Sequence, residues 1–284
     1  MRLGFVGLGA MGLPMCRNLL RAGHGVAGFD LDGGRRREAA EAGAQIASSL
    51  EGVVQDCDVV LTSLPSSDAF VGLAEHELLP RLRAGQVVLD TGTTAPPETR
   101  RLAALFAGKG GSLVDAPVSG GPGGAEKGEL YIFVGGEEGP VRTCMPLLEI
   151  LGGPGRITHG GPPGTGQVLK GVNQLMMGLV GAAYLETVAF GVRAGVDAET
   201  IARAIGEGGS RLQVRRTAER AAAGQAEGMG VKFRELPYFL AEAEASGFPL
   251  PLTRALYDFC DAGERVVVDD NRKAPSFWHE LMGR

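Results

Sequence analysis

Lys170 and Asn173 stand three residues apart in GTGQVLKGVNQLMMG, residues 164–178, within an otherwise apolar helical pattern. That spacing puts both side chains on one face of a helix. A buried ammonium is costly unless a partner or a reaction uses it. Two readings therefore stand side by side. One is a structural lysine that snorkels to the helix edge beside a helix-packing amide. The other is an amine that moves a proton, with the amide steadying the same substrate. For the second, the ordinary lysine pKa of about 10.4 has to fall toward neutrality. Burial and a nearby positive charge both push it that way.

Two further stretches could hold ligands. Residues 115–121, DAPVSGG, follow a strand pattern at Ser112–Asp115, so they fall at a strand's carboxyl end, where open α/β sheets bind ligands. Ser119 offers a hydroxyl, and Gly120 and Gly121 offer unshielded N–H groups, a nest suited to a small carboxylate. Taken alone, this loop is better accounted for by an ordinary glycine turn. Near the amino terminus, Gly7-Leu8-Gly9-Ala10-Met11-Gly12 matches G-x-G-x-x-G. In a chain with 46 glycines the pattern alone is weak, but a strand precedes it and a helix opens within it. Gly7 would make the tight turn, Gly9 would let backbone approach a pyrophosphate, and Gly12 would let helix and strand pack closely. Asp30 closes the next strand pattern at the spacing expected of a ribose-binding carboxylate. It repels a 2′-phosphate and so favours NAD, with NADP remaining possible. Asp32 adds to the repulsion. Arg35–Arg37 read either as a reach toward a 2′-phosphate or, preferably, as the solvated start of a helix.

The elements that must position these residues follow from periodicity. Leu3–Val6, Gly25–Phe29, Val59–Ser63, Gln86–Asp90, Ser112–Asp115 and Tyr131–Val134 are short apolar runs bounded by Gly, Asp or Pro, as strands are. Met11–Ala22, Arg35–Ala42, Ser67–Leu73 and Pro97–Ala107 read as helices between the earlier strands. The alternation predicts an α/β doubly wound (Rossmann) domain with a mainly parallel sheet, residues 1–162. After HGGPPGTG at 159–166 strand signals fade. Gln167–Ala194, Ala198–Gly206, Arg211–Ala223, Pro237–Ser246 and Leu252–Ala262 predict an all-helical domain, residues 163–284, opening on a long interdomain helix. Gly171, Gly178, Gly181, Ala182 and Gly191 would let other helices approach that helix closely.

Composition narrows the rest. The chain has 284 residues, 44% of them hydrophobic, and a formal net charge of −5. It offers no basic footprint for nucleic acid or an anionic membrane. The longest apolar run, Leu175–Leu185, is short for a bilayer span, and the glycine-broken amino terminus is unlike a signal peptide. A cytoplasmic location is expected. Cys16, Cys57, Cys144 and Cys260 are widely spaced and read as reduced thiols, and the scattered histidines predict no metal site.

Taken together, four stretches resemble the β-hydroxyacid dehydrogenases, the group of 3-hydroxyisobutyrate dehydrogenase and tartronate semialdehyde reductase. They are GFVGLGAMGLPMCRNLLRAGH from Gly4, DTGTTAPPETR from Asp90, DAPVSGGPGGAEKGEL from Asp115 and GTGQVLKGVNQ from Gly164. The resemblance covers essentially the whole chain. It implies hydride transfer between a nicotinamide cofactor and a small β-hydroxy acid or the matching semialdehyde. Lys170 falls on the catalytic lysine, Asn173 or Gln174 on a neighbouring amide, and Ser119, Gly120 and Gly121 on the substrate loop. Leu64, Pro65 and Thr93 match positions that touch the nicotinamide half. A homodimer or homotetramer is implied too. There are departures: Gly92-Thr93 stands where the family commonly has Ser-Thr, and a late lysine near the cofactor is replaced by Arg234, with Lys232 nearby. Two rivals remain: an imine reductase-like NADPH enzyme, which Lys170 and Asp30 count against, and a non-catalytic dinucleotide-binding sensor or scaffold.

Overall fold

The computed structural model describes residues 1–205, 210–224, 235–245, 247 and 250–259. The chain divides into two compact units, Met1–Gly171 and Val172–Arg284, with the boundary inside one long helix.

The first unit is built on β1 (Leu3–Val6), β2 (Val26–Phe29), β3 (Gln45–Ile46), β4 (Val59–Thr62), β5 (Val87–Asp90), β6 (Ser112–Asp115), β7 (Val118–Ser119), β8 (Tyr131–Gly135) and β9 (Ile157–Gly161). They lie side by side in the order β3-β2-β1-β4-β5-β6-β8-β7, with β9 also paired to β8. Strands β1 to β6 are mutually parallel, whereas β8 runs antiparallel to β6 and β7 and parallel to β9. The order reverses between β1 and β4, the switch point where doubly wound sheets open a crevice.

Buried residues alternate along each central strand. Leu3, Phe5, Val59, Leu61 and Leu89 pack on one side against α1 (Gly12–Arg21) and α8 (Glu138–Gly152). Val6, Val60, Val88 and Leu113 pack on the other, against α3 (Leu50–Asp56), α4 (Ser67–Leu73) and α6 (Pro96–Gly108). Both faces are covered, so the strands are apolar throughout, the sequence mark of a parallel sheet. Register aligns the strand ends in one row: Phe29 beside Val6, Val6 beside Thr62, Thr62 beside Asp90, Asp90 beside Asp115. Three polar side chains thus stand together at the carboxyl edge.

The doubly wound fold class holds, and the six expected strands lie within a residue of where periodicity puts them. Several elements escape the periodic reading. Strand β3 has two residues. Helix α7 (Gly121–Lys127) is built from GPGGAEK and β9 from ITHGG, neither of which periodicity singles out. The helix α4 continues through a π-helical turn, Ala74–Leu78, into α5 (Leu79–Arg81).

Helix α9 (Thr165–Arg193) starts in the first unit. It is long and apolar enough to cross a bilayer by length and composition. Its first two turns nevertheless carry the polar residues Gln167 and Lys170 into the interior of the α/β unit.

In the second unit, α10 (Ala198–Ile205) and α11 (Ser210–Ala222) pack with α9 around Val188, Ile201, Ala202 and Ala218. The expected close approach occurs at Gly191, where an added Cβ would stand 2.6 Å from Ile201 Cδ1. Helices α12 (Leu236–Ala245) and α13 (Pro251–Phe259) complete the described part.

Candidate active site

At the switch point, a cavity of about 820 Å³ is lined by Gly7, Gly9, Ala10, Met11, Asp30, Leu64 and Pro65 among others. Each glycine of the motif has a separate physical reason. Gly7 holds φ +90, and a Cβ there would strike the Ser63 carbonyl; a Cβ on Gly12 would strike the Gly7 carbonyl. Gly9 is different, because nothing lies within 4 Å of where its Cβ would point. That open space above the start of α1 is what a pyrophosphate needs in order to approach backbone. The residues present therefore fit a dinucleotide.

Leu8 contributes from behind. Its side chain is fully buried and its N–H donates to Asp30 Oδ2 at 2.6 Å. Asp30 Oδ1 accepts from the Asp32 N–H at 2.8 Å. Asp32 in turn caps α2 (Gly33–Glu41), accepting from the Gly34 and Arg35 N–H groups, which hold its carboxyl below the usual range. Arg36 folds back, with Nη1 donating to the Asp30 carbonyl at 2.6 Å, and Arg35 pairs with Glu38 at 3.7 Å. These partners agree with a helix-start role for the arginine run.

Next to β4 and β5, the residues implied at the nicotinamide end are Leu64, Pro65 and Thr93. Asp90 is buried beneath the turn that carries Thr93. Its Oδ1 accepts from Thr62 Oγ1 (2.9 Å) and the Gly92 N–H (3.0 Å), and its Oδ2 from Thr94 Oγ1 (2.8 Å). Burial pushes the Asp90 carboxyl up to about 7, against the pull of these bonds, and the charge of Asp115 on the adjacent strand adds to the rise.

Asp115 anchors α9. Its Oδ1 accepts from the Gly164 N–H at 2.8 Å and its Oδ2 from the Gln167 N–H at 3.0 Å, capping the helix from a neighbouring strand. Burial raises this carboxyl as well, while the backbone donors of the helix start lower it. The first turn lies directly on strand backbone: a Cβ on Gly166 would come 2.5 Å from the Phe133 carbonyl and 2.7 Å from the Gly135 nitrogen. One turn later Lys170, 7% exposed, donates from Nζ to the Val118 carbonyl at 2.8 Å. Ser119 follows Val118, and Gly120 and Gly121 continue with φ +134 and +64. The loop and the lysine, 51 positions apart between Ser119 and Lys170 (170 − 119), are thus brought together by two ties between residues 115–118 and α9.

Asn173 and Gln174 lie further along α9, in the second unit, where Asn173 Nδ2 reaches Met177 Sδ at 3.6 Å. Arg234 and its neighbour Lys232 lie outside the described residues. Sequence reasoning missed Asp115 as a helix cap and missed Gln167, which is fully buried. The available signal for Gln167 was its place three residues before Lys170, on the same helix face. Cys16, Cys57 and Cys144 are free and buried, and among the described residues no three potential ligands gather to hold a metal.

Comparison with known proteins places this geometry. Residues 2–161 match the family described as the NAD binding domain of 6-phosphogluconate dehydrogenase. Residues 164–274 match the NAD-binding family of NADP-dependent 3-hydroxyisobutyrate dehydrogenase. The chain is 32% identical to 2-(hydroxymethyl)glutarate dehydrogenase of Eubacterium barkeri, over 99% of this chain and 96% of that protein. It is 40% identical to 3-hydroxyisobutyrate dehydrogenase of Pseudomonas aeruginosa over 69% of this chain and 65% of that one. Among solved structures, the Mycobacterium tuberculosis 3-hydroxyisobutyrate dehydrogenase with L-serine matches with a TM-score of 0.77 and 26% identity, over 99% of this chain and 97% of that chain. With a glycine-cradled cleft at the switch point, a lysine tied to the serine loop and similarity along the whole length, the chain belongs to the 3-hydroxyisobutyrate dehydrogenase family, the NAD(P)-dependent β-hydroxyacid dehydrogenases.

Proposed function

We propose that this enzyme interconverts a small β-hydroxy acid and its semialdehyde, with NAD as the preferred cofactor and Lys170 as the acid–base group. The single observation that carries this reading is the Lys170 ammonium, nearly buried and hydrogen-bonded to the carbonyl that precedes Ser119. When bound, the nicotinamide supplies the carbon that accepts or returns hydride. The protein's own tasks are then to hold the acid and to manage the proton. Ser119 Oγ and the N–H groups of Gly120 and Gly121 bind the substrate carboxylate, fixing the hydroxyl carbon in place. Lys170 Nζ takes the hydroxyl proton in oxidation as the neutral amine, and as the ammonium it gives that proton to the carbonyl oxygen in reduction. An ammonium has three N–H donors. The one held by Val118 sets where Nζ stands. Asn173, or Gln174, orients the substrate from the next turn of α9.

The glycine cradle and Leu64, Pro65 and Thr93 hold the cofactor. The Asp30 carboxylate, fixed by two N–H groups in the lining of the cleft, supports NAD over NADP through ribose hydrogen bonds and charge repulsion. We further read residues 163–284 as the substrate and oligomerisation domain of a cytoplasmic homodimer or homotetramer.

The test is a panel of hydroxy acids named by the relatives and their ligands: 3-hydroxyisobutyrate, L-serine and 2-(hydroxymethyl)glutarate, each with NAD or NADP. Appearance of reduced-cofactor absorbance with at least one member is expected. Cofactor binding with no turnover on any of them would favour the sensor or scaffold reading instead.

A further inference from the structure

Gln167 is fully buried on the face of α9 that carries Lys170 one turn later. Its side-chain oxygen accepts from the Thr94 N–H at 3.1 Å, and its side-chain nitrogen donates to the Gly92 carbonyl at 3.0 Å. The amide therefore grips the backbone on both sides of Thr93. Asp90 grips the same turn from below, through the Gly92 N–H and Thr94 Oγ1. Asp115 holds the Gln167 backbone N–H from the adjacent strand. A buried primary amide that meets one donor and one acceptor is costly to replace, since only a protonated glutamate of that length also gives and takes a hydrogen bond while neutral.

From this clasp we infer that Gln167 is a positioning residue that fixes Thr93, and with it the nicotinamide end of the cleft, at a set distance from Lys170. One rigid helix then carries both the acid–base group and the arm that holds the cofactor loop. The inference rests on the proposed function in taking Thr93 to touch the nicotinamide half and Lys170 to be the acid–base group. Reactive groups need to stay within about half an ångström of a productive geometry, and side-chain packing of a loop alone does not secure that. A hydrogen-bonded tie from the catalytic helix does.

The experiment compares binding of NADH with binding of ADP-ribose, which lacks the nicotinamide. The ratio of the two dissociation constants isolates the nicotinamide half and needs no turnover. Gln167→Met keeps the volume and loses both bonds. It is expected to leave ADP-ribose affinity unchanged and to cut the NADH advantage by about fivefold or more, as loss of two modest hydrogen bonds implies. Gln167→Glu supplies the second arm. Ionised, it accepts from Thr94 but opposes the Gly92 carbonyl; protonated, it donates and accepts as the amide does. Asp90 and Asp115 hold the turn and the helix start that it joins, and Lys170 stands one turn on. The two acids disfavour its ionisation and the ammonium favours it. Relative to the wild type, Gln167→Glu should recover the NADH advantage as pH falls from about 9 to about 6, while Gln167→Met stays flat. A general packing defect would lower both affinities and would not recover with acid. An unchanged ratio in folded Gln167→Met, or the same pH-independent loss in both variants, would overturn the inference. Because the readout is binding, it stands apart from the substrate panel: a wild type that turns over none of those acids contradicts the proposed function and leaves the binding ratio decisive for Gln167.

Discussion

Lys170 Nζ donates to the carbonyl of Val118 at 2.8 Å, across 52 positions of sequence. This bond turns a lysine in a helix and a serine in a loop into neighbours. It also answers why an apolar helix carries an ammonium: the helix start is sunk into the α/β unit, where Asp115 caps it and the Val118 carbonyl lies within reach.

Gly9 and Gly12, the second and third glycines of the motif, separate binding from folding. A Cβ on Gly12 meets the Gly7 carbonyl, whereas one on Gly9 meets only open space. Gly12→Ala should therefore lower the melting temperature, with a cost of about 1–3 kcal/mol for overpacking. Gly9→Ala should melt as the wild type does and weaken NAD by about tenfold or more, because its methyl occupies the phosphate's place. Thermal melts and cofactor titration of the two variants decide it. Equal melting temperatures would contradict the assignment of roles.

Asp30 is the second case. Its carboxylate is held by the N–H groups of Leu8 and Asp32 in the lining of the cleft. Asp30→Ala should reduce kcat/KM with NAD and leave NADP unharmed or improved, shifting the preference by about tenfold or more toward NADP. A preference that stays put would show that this acid does not read the ribose.

Asp90 sets a pH dependence of stability. Its carboxyl is pushed up to about 7 in the fold, above the ordinary 3.8 that it regains on unfolding. Between those two values the native state binds more protons than the unfolded one, so this group's contribution falls as pH rises and is fully lost above about 7. Asp90→Asn mimics the protonated acid: its oxygen still accepts, and its NH₂ can donate to Thr94 Oγ1. The melting temperature of Asp90→Asn minus that of the wild type should become more positive between pH 5 and pH 8, a window spanning the raised value of about 7. A flat difference would place the Asp90 titration outside that window.

Much of the α/β unit is legible because a buried parallel strand has to be an apolar run and its helix has to start near a glycine or a cap. Leu3–Val6 and Ser112–Asp115 show this directly. Helix α7 is not legible, since four of its seven residues are Gly or Pro and only the fold gives it a helical path. Within the site, Lys170 and the motif glycines announce themselves by residue type. Asp115 and Gln167 do not, because capping and clasping are made by contacts between distant segments; the one local sign is that Gln167 shares the helix face of Lys170.

The most direct measurement is turnover of Lys170→Met with the best substrate of the panel, made alongside NADH titration. The methionine keeps the length and packing of the stem and removes the proton carrier. The account predicts that kcat falls by about a thousandfold, while NADH binds within about twofold of the wild type. A variant that binds NADH and retains near-normal kcat would contradict it.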